Sequence, residues 1–433
     1  MLIRHFSTED IEGGAARAAF RLHTALRESG HSSQMIVRFR KSDDDDVVQL
    51  PPLFHGPWKT EFNRLKKHIP GMKPREIKPD YQFNFDHAPE VDLQPLFKTA
   101  PAPDDIICLH WINGFLDAQS IRRIHDHFRS PLVWLIHDLE AFTGGCHYSF
   151  GCDGFTKQCG ACPRIGSADE DDTSRRTWLR KREYLSPLPI CFVAPTGWGE
   201  ARARESSLFR HARVERIPLP LDTRIFRPLD KQIAREVMQL PPDKKIVLFG
   251  ATYLEDRRKG MDHLIAAFDM LAALIDERGQ REGIKRDDIF LLAVGLNGKN
   301  FLKRLPFPGR YAGRVNDELM MALAYQSADI FVCPSLEDSG PMMIPEAMLC
   351  GTPVAAFERG GAPDLVKTMK TGYLSATPDA EDLAQGIYAL LTTDSLPAIQ
   401  TAAHQAATKS HTPSSVARRH IELYQALTGN DRL

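Results

Sequence analysis

Pro334-Ser335-Leu336-Glu337-Asp338-Ser339-Gly340-Pro341-Met342-Met343-Ile344-Pro345-Glu346-Ala347-Met348 is the stretch whose reading decides the fold. An apolar run, Ile330 to Pro334, precedes its polar loop, and a helix beginning at Pro345–Leu349 follows it. Val354 to Phe357 is then the next apolar run. Strand, loop, helix and strand in that rhythm predict a parallel sheet with helices on its faces. Ligands of such sheets sit at the carboxyl ends of the strands, which is where this loop falls. Asp338 lies on the loop and Glu346 in the first turn of the helix. A carboxylate can hold two neighbouring hydroxyls, so Glu346 suits a ribose diol and Asp338 suits hydroxyls of a bound sugar. The backbone of Gly340, Pro341, Met342 and Met343, whose N–H donors are those of Gly340, Met342 and Met343, leads into the helix N-terminus, which favours a nearby anion. Glu346 balancing the helix dipole is the plainer alternative.

Outward from this stretch the rhythm repeats. Lys245–Gly250, Ile289–Val294 and Ile330–Pro334 read as strands, and Met261–Leu274 and Asp317–Ser327 as helices. In the first half, Met1–Phe6, Gln34–Arg38, Asp105–His110 and Pro131–His137 read as strands. Ala15–Ser29 and Asp117–Phe128 carry helical apolar stripes. The chain of 433 residues exceeds what one core organises, so two doubly wound halves are expected. The Pro-rich stretch Ile217–Asp222 and the charged Phe226–Asp243 read as the join. The expected division is 1–222, 223–408 and a closing helix in 409–433.

Three further strand ends carry polar residues suited to chemistry. Leu248-Phe249-Gly250-Ala251-Thr252 leads to Arg257-Arg258-Lys259-Gly260, a basic turn opening a helix. Fixed cations there would stabilise the charge that gathers on a leaving diphosphate. Glu12-Gly13-Gly14-Ala15 follows the first strand and lets backbone approach a ligand. It lacks the G-x-G-x-x-G spacing of a nicotinamide-binding turn. His110-Trp111 and His137-Asp138 end two strands, and histidines there can bond hydroxyls or exchange a proton.

Basic and acidic residues nearly cancel, 55 against 56, which excludes a dedicated nucleic-acid binder. No apolar run approaches the ~20 residues of a membrane span, and the N-terminus lacks signal-peptide features. The expected location is the cytoplasm, at the inner face of the membrane if the segment 58–78 docks there. That segment holds seven basic and two acidic residues, with Trp58, Phe62, Leu65 and Ile69 at near-helical spacing. Of the eight cysteines, Cys108, Cys191, Cys333 and Cys350 stand among apolar neighbours and read as reduced core residues. Cys146, Cys152, Cys159 and Cys162 cluster in a glycine-rich loop, 144–166. Structural zinc, two disulfides or free thiols, and an iron–sulfur cluster are its alternatives.

Together these stretches resemble the retaining glycosyltransferases of family four. The resemblance rests on Pro334-Ser335, Asp338, Glu346, the Cys350-Gly351-Thr352-Pro353-Val354 turn and Ser327-Ala328-Asp329. The stretch from His137 to Tyr148 looks like a narrower group, the colanic-acid-type transferases of surface polysaccharide synthesis. The resemblance implies a GT-B fold, two Rossmann-like domains facing across a cleft. It implies transfer of a hexose with retention, from a UDP- or GDP-type donor to a glycan or lipid-linked acceptor. By resemblance His137 stands near the anomeric carbon and 6-hydroxyl. Lys259 and Arg258, with Arg257, hold the diphosphate, and Glu346 holds the ribose. His110, Trp111 and Asp138 fall on the acceptor side. Front-face substitution is implied, with no metal required for chemistry. Three positions depart from the family: Asp338 stands for Glu, Ser339-Gly340-Pro341-Met342 for Gly-Phe-Gly-Leu, and Ala251 for Arg. A sugar-nucleotide epimerase and a non-catalytic carbohydrate-binding relative are the rival functions.

Overall fold

The computed structural model describes residues 1–53, 83–86, 91–102, 104–376 and 378–429. The segment 58–78 therefore lies outside the described residues. The chain divides into two compact units. Met1–Pro195, Gly199–Ile217 and the tail from Ala417 form the first, and Thr196–Trp198 with Pro218–Val416 form the second. The sequence reading drew these borders at 222 and 409.

Among the described residues the first unit holds β1 (Leu2–Glu9), β2 (Ser32–Phe39), β3 (Val47–Gln49), β4 (Ile106–Leu109), β5 (Leu132–Leu135), β6 (Ile190–Ala194) and β7 (Arg213–Arg216). They form one sheet in the order β3-β2-β1-β4-β5-β6-β7, and every pair is parallel. The residues of β4, β5 and β6 are buried throughout, as strands covered by helices on both faces must be. The helix Gly14–Glu28 turns Ala18, Ala19, Leu22, Ala25 and Leu26 inward. The helix Ala118–Phe128 starts where the Asp117 carboxylate accepts from the Ser120 amide. The tail helix Pro413–Thr428 belongs to this unit from Ala417 on. Its Tyr424 is fully buried, with Oη 3.1 Å from Cys108 Sγ on β4.

The second unit holds β8 (Lys245–Tyr253), β9 (Ile289–Leu296), β10 (Gly309–Gly313), β11 (Ile330–Cys333), β12 (Val354–Phe357) and β13 (Gly372–Ser375). Their order is β10-β9-β8-β11-β12-β13, again all parallel. Alternation along β8 sends Val247, Phe249 and Ala251 into one core and Ile246 and Leu248 into the other.

One expectation is corrected here. Phe226–Asp243 is not a linker. Phe226, Met238 and Leu240 enter the core of the second unit. The helix Lys231–Val237 is tied to the sheet by Asp329, which takes Arg235 at 2.8 Å, Lys231 at 2.7 Å and the Ile246 amide at 2.6 Å. Prolines and charges mimic a linker, but the apolar residues between them had a core to fill. Among the described residues no helix is long and apolar enough to cross a membrane.

Candidate active site

In the second unit the basic turn and the acidic loop are built as one piece. The turn is the short helix Arg257–Lys259, capped by Asp256, which accepts from the Arg258 amide at 3.0 Å and its Nη2 at 2.9 Å. Gly260 closes it with φ +68°, and a Cβ there would stand 1.9 Å from the Pro334 carbonyl oxygen. Only glycine allows that left-handed backbone to lie so close to the strand end. The Leu336 amide then donates to the Arg258 carbonyl at 2.8 Å. Gly260→Ala is expected to cost the second unit at least about 2 kcal/mol through backbone strain and collision. A variant melting with the wild type would show that this packing is not held.

The tie brings Lys259 Nζ into an ion pair with Asp338 Oδ2, with Arg258 Nη1 at 3.5 Å from the same oxygen. Burial would raise the Asp338 carboxyl, but Lys259 and Arg258 outweigh it and hold it below the usual range. Arg257 is exposed, so Arg258 is the arginine that turns toward the acid. The Gly340 amide bonds the Asp338 carboxylate at 3.3 Å, and Thr196 Oγ1 donates to the Ser339 carbonyl at 2.6 Å. Gly360, at φ +55°, lies so close that a Cβ would meet the Asp338 carbonyl oxygen at 2.3 Å. Pro341, Met342 and Met343 are partly exposed beyond it.

Glu346 is buried in the first turn of the helix Met343–Leu349, and its Oε2 accepts from Tyr325 Oη at 3.1 Å. Burial first, and Glu346 next, push the Tyr325 hydroxyl well above its ordinary range, so it stays a donor. Sequence reading missed Tyr325. It sits on the helix Glu318–Ser327, which was legible, but nothing in sequence points its hydroxyl at Glu346.

In the first unit, Gly13 stands at the start of the helix Gly14–Glu28, and no atom of the described residues lies within 4 Å of a Cβ built on either glycine. The loop's base is fixed by buried Asp10, which accepts from the amides of Ile11 at 2.9 Å, Lys41 at 3.0 Å and Ser42 at 2.8 Å. Asp10 was another residue missed from sequence.

His110, Trp111, His137 and Asp138 meet at one small cavity, joined by Asn113 and His147. His110 is only 2% exposed and stands behind His137, with Nδ1 3.2 Å from His137 Nε2. His147, the neighbour of Cys146, had drawn no role from sequence. Its Nδ1 lies 2.5 Å from Asp138 Oδ2. Burial opposes both charges of that pair, yet His147 holds the Asp138 carboxyl below its usual range and Asp138 raises His147.

Burial, the largest cause in each, pushes His137 down to about 4 against Asp138, His23 to about 4 against Asp44, and His420 to about 3 with help from Arg419. The unfolded rings titrate near 6.5, so below that pH the unfolded chain binds protons that the folded chain refuses. Stability is therefore complete above about 6.5 and is lost as pH falls toward 4, by up to about 1.4 kcal/mol per pH unit per ring. Thermal melts from pH 7 to 5 should show a falling transition for the first unit. A flat transition would mean that these rings are not buried neutral.

Cys146, Cys152, Cys159 and Cys162 are free thiols lining one cavity. The Gly144 amide donates to Cys159 Sγ at 3.2 Å and the Gly154 amide to Cys152 Sγ at 3.4 Å. Burial raises Cys146 to about 12 and Cys159 to about 11. Among the described residues no group of three or more His, Cys, Asp or Glu side chains is arranged to hold a metal ion. The loop is anchored by buried Lys181, whose Nζ lies 2.6 Å from Glu140 Oε1 and 3.2 Å from the Thr143 carbonyl.

The family model described as Glycosyl transferases group 1 matches residues 243–393, which hold Lys259, Asp338 and Glu346. The matched residues lie within the second unit. A curated relative, the D-inositol 3-phosphate glycosyltransferase 2 of Catenulispora acidiphila, is 32% identical over 190 residues, 41% of this chain and 42% of its own. The putative colanic acid biosynthesis glycosyl transferase WcaC of Escherichia coli K12 is 25% identical over 176 residues, 39% of this chain and 40% of its own. The chain thus aligns with about two fifths of the curated relatives it matches. Solved structures match far more of it. Sucrose-phosphate synthase from Thermosynechococcus elongatus covers 99% of the chain, and all of its own, at TM-score 0.65 and 20% identity. HepE of Anabaena, in complex with UDP and glucose, covers 98% of this chain and 100% of its own at 0.63 and 14%. These likenesses show the fold: two Rossmann-like domains of the GT-B class, as the family-four resemblance implied.

Proposed function

We propose that the protein transfers a hexose from a UDP- or GDP-type sugar nucleotide to a glycan or lipid-linked acceptor, with retention, in surface polysaccharide synthesis. One observation carries the reading: Lys259, Arg258 and Asp338 are locked together at the carboxyl ends of β8 and β11, in the same unit as Tyr325-held Glu346. Lys259 and Arg258 take the diphosphate, whose growing charge they neutralise as the glycosidic bond breaks. The phosphate then competes with Asp338 for Lys259, and Asp338 turns to the sugar hydroxyls. Glu346 takes the ribose diol. Gly13 and Gly14 offer backbone amides to the donor, His137 contacts the transferred sugar, and Trp111 and Asp138 serve the acceptor. The leaving phosphate receives the acceptor's proton, and because Lys259 and Arg258 neutralise the diphosphate, no divalent metal is needed for chemistry. HepE's solved complex with UDP and glucose supports a uridine donor, and the WcaC relative supports a polysaccharide acceptor.

The test is nucleotide release from UDP- and GDP-hexoses, with the anomer followed by proton NMR. Product or first-formed free sugar should keep the donor's anomeric configuration. An inverted anomer would overturn retention. Donor isomerisation without acceptor would identify an epimerase, and tight binding without turnover a carbohydrate-binding relative. The cysteine cluster's donor set, four sulfurs around one cavity, is proposed to take structural zinc once its side chains re-orient, since no three of them stand arranged for a metal ion among the described residues. Metal analysis of protein purified without added metal should give about one equivalent, and under about 0.2 would remove zinc. Docking of the segment 58–78 on anionic lipid is proposed on its basic excess and on the near-helical spacing of Trp58, Phe62, Leu65 and Ile69 in the sequence, and vesicle co-sedimentation tests it.

A further inference from the structure

Three histidines of the first unit form a buried row. His5 Nδ1 lies 2.8 Å from His110 Nε2, and His110 Nδ1 lies 3.2 Å from His137 Nε2. The rings of His110 and His137 stack at 27° with centroids 5.5 Å apart. His5 is 0% exposed and lies on β1, while His110 and His137 follow the ends of β4 and β5. Burial holds His5 and His110 well below the ordinary range and His137 near 4, so all three rings are neutral at physiological pH.

A neutral imidazole has one N–H and one lone pair. Each of the two contacts needs one proton, and His110 has only one to give. The row therefore has just two self-consistent arrangements. In one, every proton points toward His137. In the other, every proton points back toward His5, whose own proton must then sit on Nε2. His5 Nε2 is buried and has no hydrogen-bond partner among the described residues. A buried N–H without an acceptor is among the rarest features of folded chains, and leaving one costs about 1–3 kcal/mol.

We infer that the row is polarised outward, so that His5 and His110 fix His137 as its Nδ1–H tautomer. His137 then presents a hydrogen-bond donor on its outer edge and no lone pair there. His5 and His110 are positioning residues, since neither reaches a ligand. Resting on the proposed contact between His137 and the transferred sugar, the consequence is chemical: His137 donates to a sugar oxygen. It offers the acceptor's hydroxyl no base, which leaves that proton to the departing phosphate.

The test has two arms on the full chain. Histidine-selective 15N labelling with two-bond proton–nitrogen correlation reads each tautomer, with signals assigned by their loss in His5→Asn and His137→Gln. The expected pattern is Nδ1–H with bare Nε2 at positions 5, 110 and 137. A free imidazole prefers the opposite form, so Nε2–H on His137 overturns the inference. In the second arm, His5→Phe removes the head of the row, and His5→Asn restores an N–H close to where Nδ1 stood. Losing one such hydrogen bond should lower kcat/KM for donor turnover about tenfold in the Phe variant. The Asn variant should recover to within about threefold of wild type, with cooperative melting in both. Equal loss in both variants would also overturn the inference. The Nδ1–H pattern in a protein that turns over no sugar nucleotide would keep the tautomer assignment and sink the transferase reading. Turnover with Nε2–H on His137 would do the reverse.

Discussion

Replacing Lys259 by Met is expected to lower kcat/KM for donor turnover by about 10²–10³-fold, as loss of one preorganised charge-stabilising group does elsewhere. Methionine keeps much of the side chain's length and removes the charge. The loss should fall mainly on kcat, because the diphosphate's charge grows in the transition state and the cation binds it hardest there. Stability changes too, since Lys259 partners a carboxylate that is only 6% exposed. Lys259 itself is part-exposed, and Arg258 stays 3.5 Å from Asp338, so the cost should be modest, roughly 1–2 kcal/mol. The double variant Lys259→Met/Asp338→Asn separates the two effects. Melting temperature should return toward wild type, because no buried charge is left alone, while turnover should remain lost. Turnover near wild type in Lys259→Met would remove the lysine from the diphosphate site.

The second large effect is on binding. Glu346→Gln keeps an oxygen for Tyr325 and removes the negative charge that grips a diol. Charge-assisted bonds to such a pair are worth about 2–3 kcal/mol, so UDP or GDP should bind roughly 30–150-fold more weakly. Tyr325→Phe, which only unfixes the carboxylate, should cost about tenfold. The calorimetric comparison uses the bare nucleoside diphosphate. It lacks the sugar, so a ribose contact must show with it. Asp338→Asn should instead weaken the sugar nucleotide more than the bare diphosphate. If Glu346→Gln bound UDP and GDP as tightly as wild type, Glu346 would not hold the ribose.

The strand ends were legible because an apolar run that stops at polar residues is a local signal. His137 lies at such a stop, Lys259 and Asp338 lie in the turns that follow two others, and Glu346 opens the helix after one of them. What sequence could not show were partners fixed by tertiary packing. Tyr325 reads as one more aromatic on an apolar helix, and only the crossing of two helices aims it at Glu346. Asp10 and Lys181 hold loops through contacts with residues about 30 and 40 positions away. His5 drew no role from sequence within the strand Met1–Phe6, yet it lies at the head of the histidine row. Ile190-Cys191-Phe192-Val193-Ala194 is a wholly apolar, fully buried strand with no polar residue to mark a site. The edge strands Arg213–Arg216 and Gly309–Gly313 carry too few apolar residues to stand out.

Tyr424 has one more implication, concerning synthesis. It fills the interior beneath Cys108, and it arrives about 200 residues after Ile217 has left the ribosome. At 5–20 residues per second that gap lasts roughly 10–40 s. Throughout it the earliest-made sheet lacks the wedge that seals it. The second unit can finish first, and the first unit waits, half-closed, for the helix Pro413–Thr428 to be translated.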